Sequence, residues 1–291
     1  MMRIQKSNPD YSAISYQDIL KCKELSFDDM KKEYNKLEKV KDKPNGFYGN
    51  KIIYSLFLKE MIETRRDKKN YKTIEDMFSN DQDKKKLIDL AIKVNRRKKL
   101  DYIEPVDIFE VHRLCYGSIN TFKSCQVKSI IDRFNCNHLL DPTAGWGGRL
   151  LGSISSGIKY TGIDTNINLK EGYEKLIQIS GGGTMIWDSC LNVDFSKIDY
   201  DLVLTSPPYI NLEKYNNMEL FTSNEVYYKQ FLIPLIDKLR SNIKRNGKVC
   251  INISDYMYKD YLNYGGTPCK EMENLNQQMG GKKNKELIYI W

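Results

Sequence analysis

The stretch HLLDPTAGWGGRLLGSI, His138 to Ile154, reads as a short apolar strand that ends at Asp141, a turn holding Gly145, Gly147 and Gly148, and a helix. Glycines at that junction let the backbone bend sharply and bring its N–H groups up to a ligand. A strand, a glycine loop and a helix are common, so the flanking sequence has to decide. The next strand-like run, YTGIDTN, ends at Asp164, 23 residues after Asp141, where an acidic side chain can accept hydrogen bonds from ribose hydroxyls. The run TMIWDS ends at Asp188. A fourth, LVLTSPPYINLEKY from Leu202 to Tyr215, passes directly into Ser206, Pro207, Pro208 and Tyr209. Proline fixes φ and has no N–H to donate, so the pair stops a ladder and stiffens the turn. Four successive strand ends thus line one edge of a sheet, the edge at which doubly wound folds take ligands. Each feature also has a purely structural reading: Asp141 and Asp164 as helix caps, Trp146 as packing, the prolines as a rigid strand exit. Their joint occurrence in register is harder to assign to packing.

The surrounding pattern is α/β. Strands are expected at 138–141, 159–163, 184–187, 201–205, 248–253 and 286–290, with helices near 121–134, 147–156, 168–179 and 225–244. Strands alternating with helices predict a doubly wound, mostly parallel sheet. Before it lie three candidate helices. SFDDMKKEYNKLEKV opens with Ser26 and Asp29 in capping-box spacing and stops at KPNGFYGN; KIIYSLFLKEMIETRR and DKKKLIDLAIKVNRRKKL come next. The expected division is a helical N-terminal region, 1–104, and an α/β domain, 105–291.

The composition, 41% hydrophobic and 29% charged residues in a chain of 291, is that of a folded protein. No apolar run of about 18 residues is present and the start lacks a signal peptide's apolar core, so a soluble, intracellular protein without membrane attachment is expected. The seven cysteines form no C-x-x-C pair and there are two histidines, which points away from zinc sites and disulfides and toward reduced, mostly buried thiols. The net charge of +8 is uneven: residues 1–100 hold 25 Lys and Arg against 16 Asp and Glu, residues 101–291 hold 21 against 22. A basic region beside a neutral one suits a polyanionic partner. RRDKKNYK, with Arg65 and Arg66, and NRRKK, with Arg96, Arg97, Lys98 and Lys99, are the candidate phosphate contacts; a solvated helix surface explains the same runs equally well.

DPTAGWGG, GIDTN, WDS and TSPPY together resemble the amino-group nucleic-acid methyltransferases that use S-adenosylmethionine, in particular DNA enzymes acting on cytosine N4 or adenine N6. The resemblance covers roughly residues 116–291 and implies a Rossmann-like methyltransferase fold. It implies that Asp141, Gly145 and Gly147 face the methionine end of the cofactor, Asp164 the ribose, Asp188 the adenine amino group, and Ser206, Pro207, Pro208 and Tyr209 the target base. Phe122 and Lys123 fall near a further cofactor-binding segment, in which Ser124 replaces the usual proline. Thr143 stands among the cofactor contacts where phenylalanine is common.

The chemistry suits these residues. An exocyclic amine is a poor nucleophile because its lone pair is delocalised into the ring, and acceptors aimed at the NH₂ favour its pyramidal form. The Ser206 hydroxyl and Pro207 carbonyl are such acceptors, and Tyr209 can stack on a displaced base. Neither a metal nor a tuned general base is required. The expected function is methyl transfer to an amino group of DNA. RNA adenine N6, or a non-catalytic subunit that binds nucleic acid, stands as the alternative.

Overall fold

A computed structural model describes residues 2–41, 43–66, 71–94, 100–117, 119–209, 213–214, 221–274, 277–279, 282–284 and 287–291. Two compact units are formed, and neither is continuous in sequence.

The larger unit comprises Phe27–Ile53, residues 121–209 and the described residues from Phe221 onward. Its centre is a seven-stranded sheet: β1 (His138–Asp141), β2 (Lys159–Asp164), β3 (Thr184–Trp187), β4 (Leu202–Thr205), β5 (Lys248–Asn252), β6 (Glu271–Asn274) and β7 (Leu287–Ile290), in the order β6-β7-β5-β4-β1-β2-β3. Strands β1 to β5 run parallel to one another, and β7 is antiparallel to both β5 and β6. Leu139, Leu140, Leu202, Val203, Leu204, Cys250 and Ile251 are all fully buried. Continuous apolar runs of this kind arise where helices cover both faces. From β1 the chain winds out to β2 and β3, then returns to the other side for β4 and β5. The carboxyl ends of β1 and β4 therefore sit side by side at the switch point, where a doubly wound sheet opens a crevice. The fold class expected from the sequence, α/β with a doubly wound, mostly parallel, Rossmann-like sheet, is the one observed.

Six of the seven strands stand where the sequence pattern places them. β6, EMEN, has no apolar signal, because it is polar and reaches the sheet only at its edge. The helix Asp255–Asn263, capped by Ser254, also lies outside the expected elements. The helix expected over 225–244 comes in three pieces: Asn224–Tyr227, a wide π turn at Tyr228–Leu232, and Ile233–Asn242. Pro234 accounts for the break, since it lacks the N–H that would continue the regular ladder.

The smaller unit comprises the described residues up to Ser26, Tyr54–Asn120 and Glu213–Lys214. Its buried cluster joins Ile14, Ile19, Leu58, Leu87 and Ile88 to Ile108, Phe109 and Val111 from the helix Pro105–Cys115. Within it, Arg65–Arg66 pair antiparallel with Glu213–Lys214. The boundary expected at 104/105 thus differs from the observed division in two ways. Helix Pro105–Cys115 packs with the helical unit because its apolar face completes that unit's core. Helix Phe27–Glu38 packs on Gly148–Ser155 and Lys170–Ser180 in the larger unit, where Lys31 Nζ also donates to the Ile179 carbonyl at 2.7 Å. Among the described residues no helix is long and apolar enough to cross a membrane.

Candidate active site

At the end of β1 the backbone enters the glycine loop. Gly145 (φ +58°) and Gly147 (φ +76°) take left-handed conformations that glycine adopts at little cost, and Gly147 is the N-cap of helix Gly148–Ser155. Gly148 lies under the preceding segment: a Cβ there would come within 2.1 Å of the Phe122 carbonyl oxygen. Ser124 Oγ ties the two together by donating to the Gly148 carbonyl at 2.9 Å. The outer side of Gly145 is open among the described residues, since a Cβ there would meet only the Thr143 carbonyl oxygen, 3.9 Å away.

Asp164, ending β2, accepts the Gly145 N–H at 2.7 Å and the Asn166 N–H at 2.8 Å. Burial pushes its carboxyl up to about 6, against the pull of the Asn166 and Gly145 amides. A carboxylate offers about four lone-pair sites, so two backbone bonds leave capacity for a ligand's hydroxyls. Ile167, just beyond, is 48% exposed and provides an apolar surface beside it. Asp188, past β3, is exposed; its Oδ1 accepts the Ser189 N–H and the Asn192 side-chain amide at 2.9 Å.

Asp141 departs from the expectation that it faces a ligand. It is 0% exposed, and its carboxylate accepts Arg149 Nε at 2.7 Å, the Tyr160 hydroxyl at 2.9 Å and the Thr205 hydroxyl at 2.9 Å. The cause is Arg149, eight residues on and 5% exposed, which turns back under the loop and also donates to the Thr143 and Ala144 carbonyls. Burial and the neighbouring Asp141 carboxylate hold the Tyr160 hydroxyl well above its ordinary range, so it remains a donor. Asp141 therefore clamps β1, β2 and β4 together from below the crevice. Tyr173 supports the loop from the other side, its hydroxyl donating to the Gly145 carbonyl at 3.0 Å.

Thr143 links the two motifs. Its hydroxyl is 2.6 Å from that of Thr205 and donates to the Ser206 carbonyl at 3.1 Å, so the glycine loop and the SPPY turn stand one hydrogen bond apart. The Ser206 hydroxyl donates to Asn252 Oδ1 at 3.0 Å, the Tyr209 hydroxyl reaches the Asn252 carbonyl at 3.4 Å, and Tyr227 donates to the Pro208 carbonyl at 2.9 Å. Pro207 is buried; Ser206, Pro208 and Tyr209 are half-buried. Phe122 and Lys123 precede the loop. The Arg149 guanidinium lies 5.6 Å from the Phe122 ring, and Lys123 Nζ lies 4.4 Å over the exposed Phe47 ring.

The structure thus brings Phe122, Lys123, Asp141, Thr143, Gly145, Gly147, Asp164, Asp188 and Ser206 to Tyr209 to the same end of the sheet. Sequence reasoning passes over Arg149, Tyr160, Thr205 and Asn252. An arginine amid the apolar residues of GGRLLG is the visible signal for the first. Of the expected phosphate contacts, Arg65 forks onto Asp76 at 3.1 and 3.3 Å on the surface of the smaller unit. The Arg66 side chain and Arg96, Arg97, Lys98 and Lys99 lie outside the described residues. Among the described residues no cluster of His, Cys, Asp and Glu could hold a metal ion. Cys125, Cys136, Cys190 and Cys250 are buried, and burial pushes the Cys136 and Cys190 thiols up to about 12.

No protein-family model and no curated protein matches the chain. Among solved structures it is similar in fold to TrmN from Thermus thermophilus (12% identity, TM-score 0.43, covering 57% of this chain and 48% of that one). It is also similar to an rRNA methylase from Streptococcus thermophilus (13%, 0.38, 60% and 96%). A third is a Pyrococcus abyssi tRNA (uracil-54, C5)-methyltransferase in complex with S-adenosyl-L-homocysteine (14%, 0.38, 59% and 38%).

Proposed function

We propose that the chain is a methyltransferase that uses S-adenosylmethionine to methylate an exocyclic amino group, cytosine N4 or adenine N6, in nucleic acid, with DNA as the preferred substrate and RNA as the alternative. The observation that carries this reading is the Thr143 bridge. It sets a loop suited to a ribose-bearing ligand directly against an acceptor-rich turn suited to an amine.

The residues fit the cofactor. Open space over Gly145, spare acceptor capacity on Asp164 and the exposed carboxylate of Asp188 match, in order, a group approaching the loop backbone, ribose hydroxyls and an adenine amine. Bound S-adenosylmethionine would supply a methyl carbon activated by its sulfonium, with sulfur taking back the C–S electrons and the amine's surplus proton passing to water. The chain's own part is to orient. Ser206 Oγ and the Pro207 carbonyl accept the two amine hydrogens, holding the nitrogen lone pair out of conjugation with the ring. The Pro207–Pro208 unit keeps the Pro207 carbonyl in place without a movable side chain, and Tyr209 stacks on the base. Arg65, Arg66, Arg96, Arg97, Lys98 and Lys99 supply phosphate contacts.

Incubation with radiolabelled S-adenosylmethionine and unmethylated DNA or RNA, followed by nucleoside mass spectrometry, tests the reading. N4-methylcytosine or N6-methyladenine is the expected product. Absence of label from both polymers overturns the assignment, and label in RNA alone moves the substrate to RNA.

A further inference from the structure

Asn252 ends β5 at 5% exposure and is bonded to both ends of the SPPY turn. Its side chain accepts the Ser206 hydroxyl at 3.0 Å and its main-chain carbonyl accepts the Tyr209 hydroxyl at 3.4 Å. The amide cannot turn over. Its Nδ2 donates at 2.9 Å to the carbonyl of Leu287, the first residue of the antiparallel β7, and a carbonyl can only accept. Oδ1 is therefore fixed toward Ser206, and the Ser206 proton is committed to Oδ1. A hydroxyl whose hydrogen is so committed shows only lone pairs in its other directions.

We infer that Asn252 is a positioning residue that sets the polarity of Ser206, so that the site accepts a base presenting N–H and rejects one presenting a carbonyl oxygen in the same place. The inference rests on the proposed amino-group methyl transfer and narrows it to a class. Cytosine and adenine fit; uracil and hypoxanthine, which carry an oxygen where those bases carry the amine, meet lone pair with lone pair. A site with a fixed acceptor discriminates in this way because the mismatched base leaves polar groups unpaired. The selection acts in binding, ahead of any methyl transfer.

The test compares wild type, Asn252→Val, Ser206→Ala and the double variant. Valine is β-branched, at home in a buried strand and unable to hydrogen-bond. Binding of fluorescent single-stranded DNA carrying one cytosine or one uracil in an otherwise identical sequence is read by anisotropy. The protein is saturated with S-adenosylhomocysteine and the salt is raised to weaken the phosphate contribution. Wild type should prefer cytosine by about tenfold, the equivalent of one well-made discriminating hydrogen bond. Asn252→Val should bring the ratio close to one while keeping the thermal shift caused by S-adenosylhomocysteine, and adding Ser206→Ala should change nothing further. A variant with wild-type preference, or a double variant well below either single one, overturns the inference. Should Asn252→Val fail to melt cooperatively, Ser206→Ala alone decides, since retained preference there equally removes the hydroxyl from the selection. A wild-type protein that moves no labelled methyl to DNA or RNA instead brings down the underlying reading, a result separate from the binding ratio.

Discussion

Arg149 and Asp141 form an ion pair at 2.7 Å with both side chains shut away from water, directly beneath the glycine loop. Removing one partner leaves a buried charge without its counter-charge. Arg149→Met or Asp141→Asn should each cost about 3–5 kcal/mol, measured by urea unfolding. The double change Asp141→Leu/Arg149→Met should cost clearly less than the sum of the two, because no charge is then stranded. Additive losses would show that the two residues act independently.

Asp164 should make both stability and ligand binding depend on pH near 6. Its folded value lies above the ordinary 3.8, so the fold favours the protonated form. Between about pH 4 and 6 the native state binds more protons than the unfolded chain, and this group's contribution to stability falls as pH rises through that window. Ligand binding should run the other way. Ribose hydroxyls donate better to the carboxylate, so affinity for S-adenosylhomocysteine should rise about tenfold from pH 5 to pH 7. Gly145, Asn166, Asp141 and Arg149 set the local field, and none of them is altered in Asp164→Asn, which should flatten both profiles in calorimetry and thermal melting.

Two glycines of one loop should fail for different reasons. Gly148→Ala drives a methyl against the Phe122 carbonyl, a backbone atom that cannot swing aside, and should lower stability by about 1–3 kcal/mol. Gly145→Ala has room for its methyl but must hold a φ of +58°, which costs roughly 1–2 kcal/mol, and the methyl occupies the open side of the loop. Thermal shift with and without S-adenosylhomocysteine separates the two. Gly145→Ala should lose the ligand-induced shift altogether, and Gly148→Ala should start from a lower melting temperature and keep part of it.

Tyr209→Ala should reduce kcat/KM by about ten- to hundredfold, since base stacking is worth roughly 1–3 kcal/mol, with S-adenosylhomocysteine affinity near wild type. Tyr209→Phe keeps the ring and should be mild. If the prolines served only to end a strand, Tyr209→Ala would melt lower yet methylate normally in single-turnover assays.

Arg65→Gln removes an exposed pair with Asp76 and should change stability by no more than about 1 kcal/mol. If Arg65 instead serves a phosphate, the same change should reduce the slope of log affinity against log salt by about 1 in DNA-binding measurements. An unaltered slope would assign Arg65 to its surface pair.

The features legible in the sequence are those that depend on short spans. Apolar runs covered on both faces read directly as strands, and glycines, terminal aspartates and the proline pair mark their ends. Asp141 shows the limit. Its type and place match a ligand contact, but which way a carboxylate turns depends on donors brought from Arg149, Tyr160 and Thr205 by folding. Asn252 shows the same limit from the other side, an ordinary strand residue whose importance comes from touching Ser206, 46 positions away. The division into units is hidden because helix Phe27–Glu38 carries no local sign that its partners lie more than a hundred residues further on.

The place of β7 has a consequence for the order of folding. It occupies the slot between β5 and β6, yet it comes after both in the chain, and among the described strands β6 joins the sheet through β7 alone. β6 must therefore wait for a strand synthesised after it, and β7 enters against the direction of β5, 35 residues after the partner it meets at Asn252. The parallel pairs β1–β4 and β4–β5 join residues further apart in the chain (Leu139 with Leu202, Leu202 with Lys248) than β5 and β7 do (Asn252 with Ile288), so β7 can close on β5 as soon as β5 stands in the sheet, and β6 only after that. Since β7 also supplies the Leu287 carbonyl that locks the Asn252 amide, that amide takes its final orientation only once β7 has joined the sheet, whereas the bond between Gly145 and Asp164 needs only β1, β2 and the loop after β1.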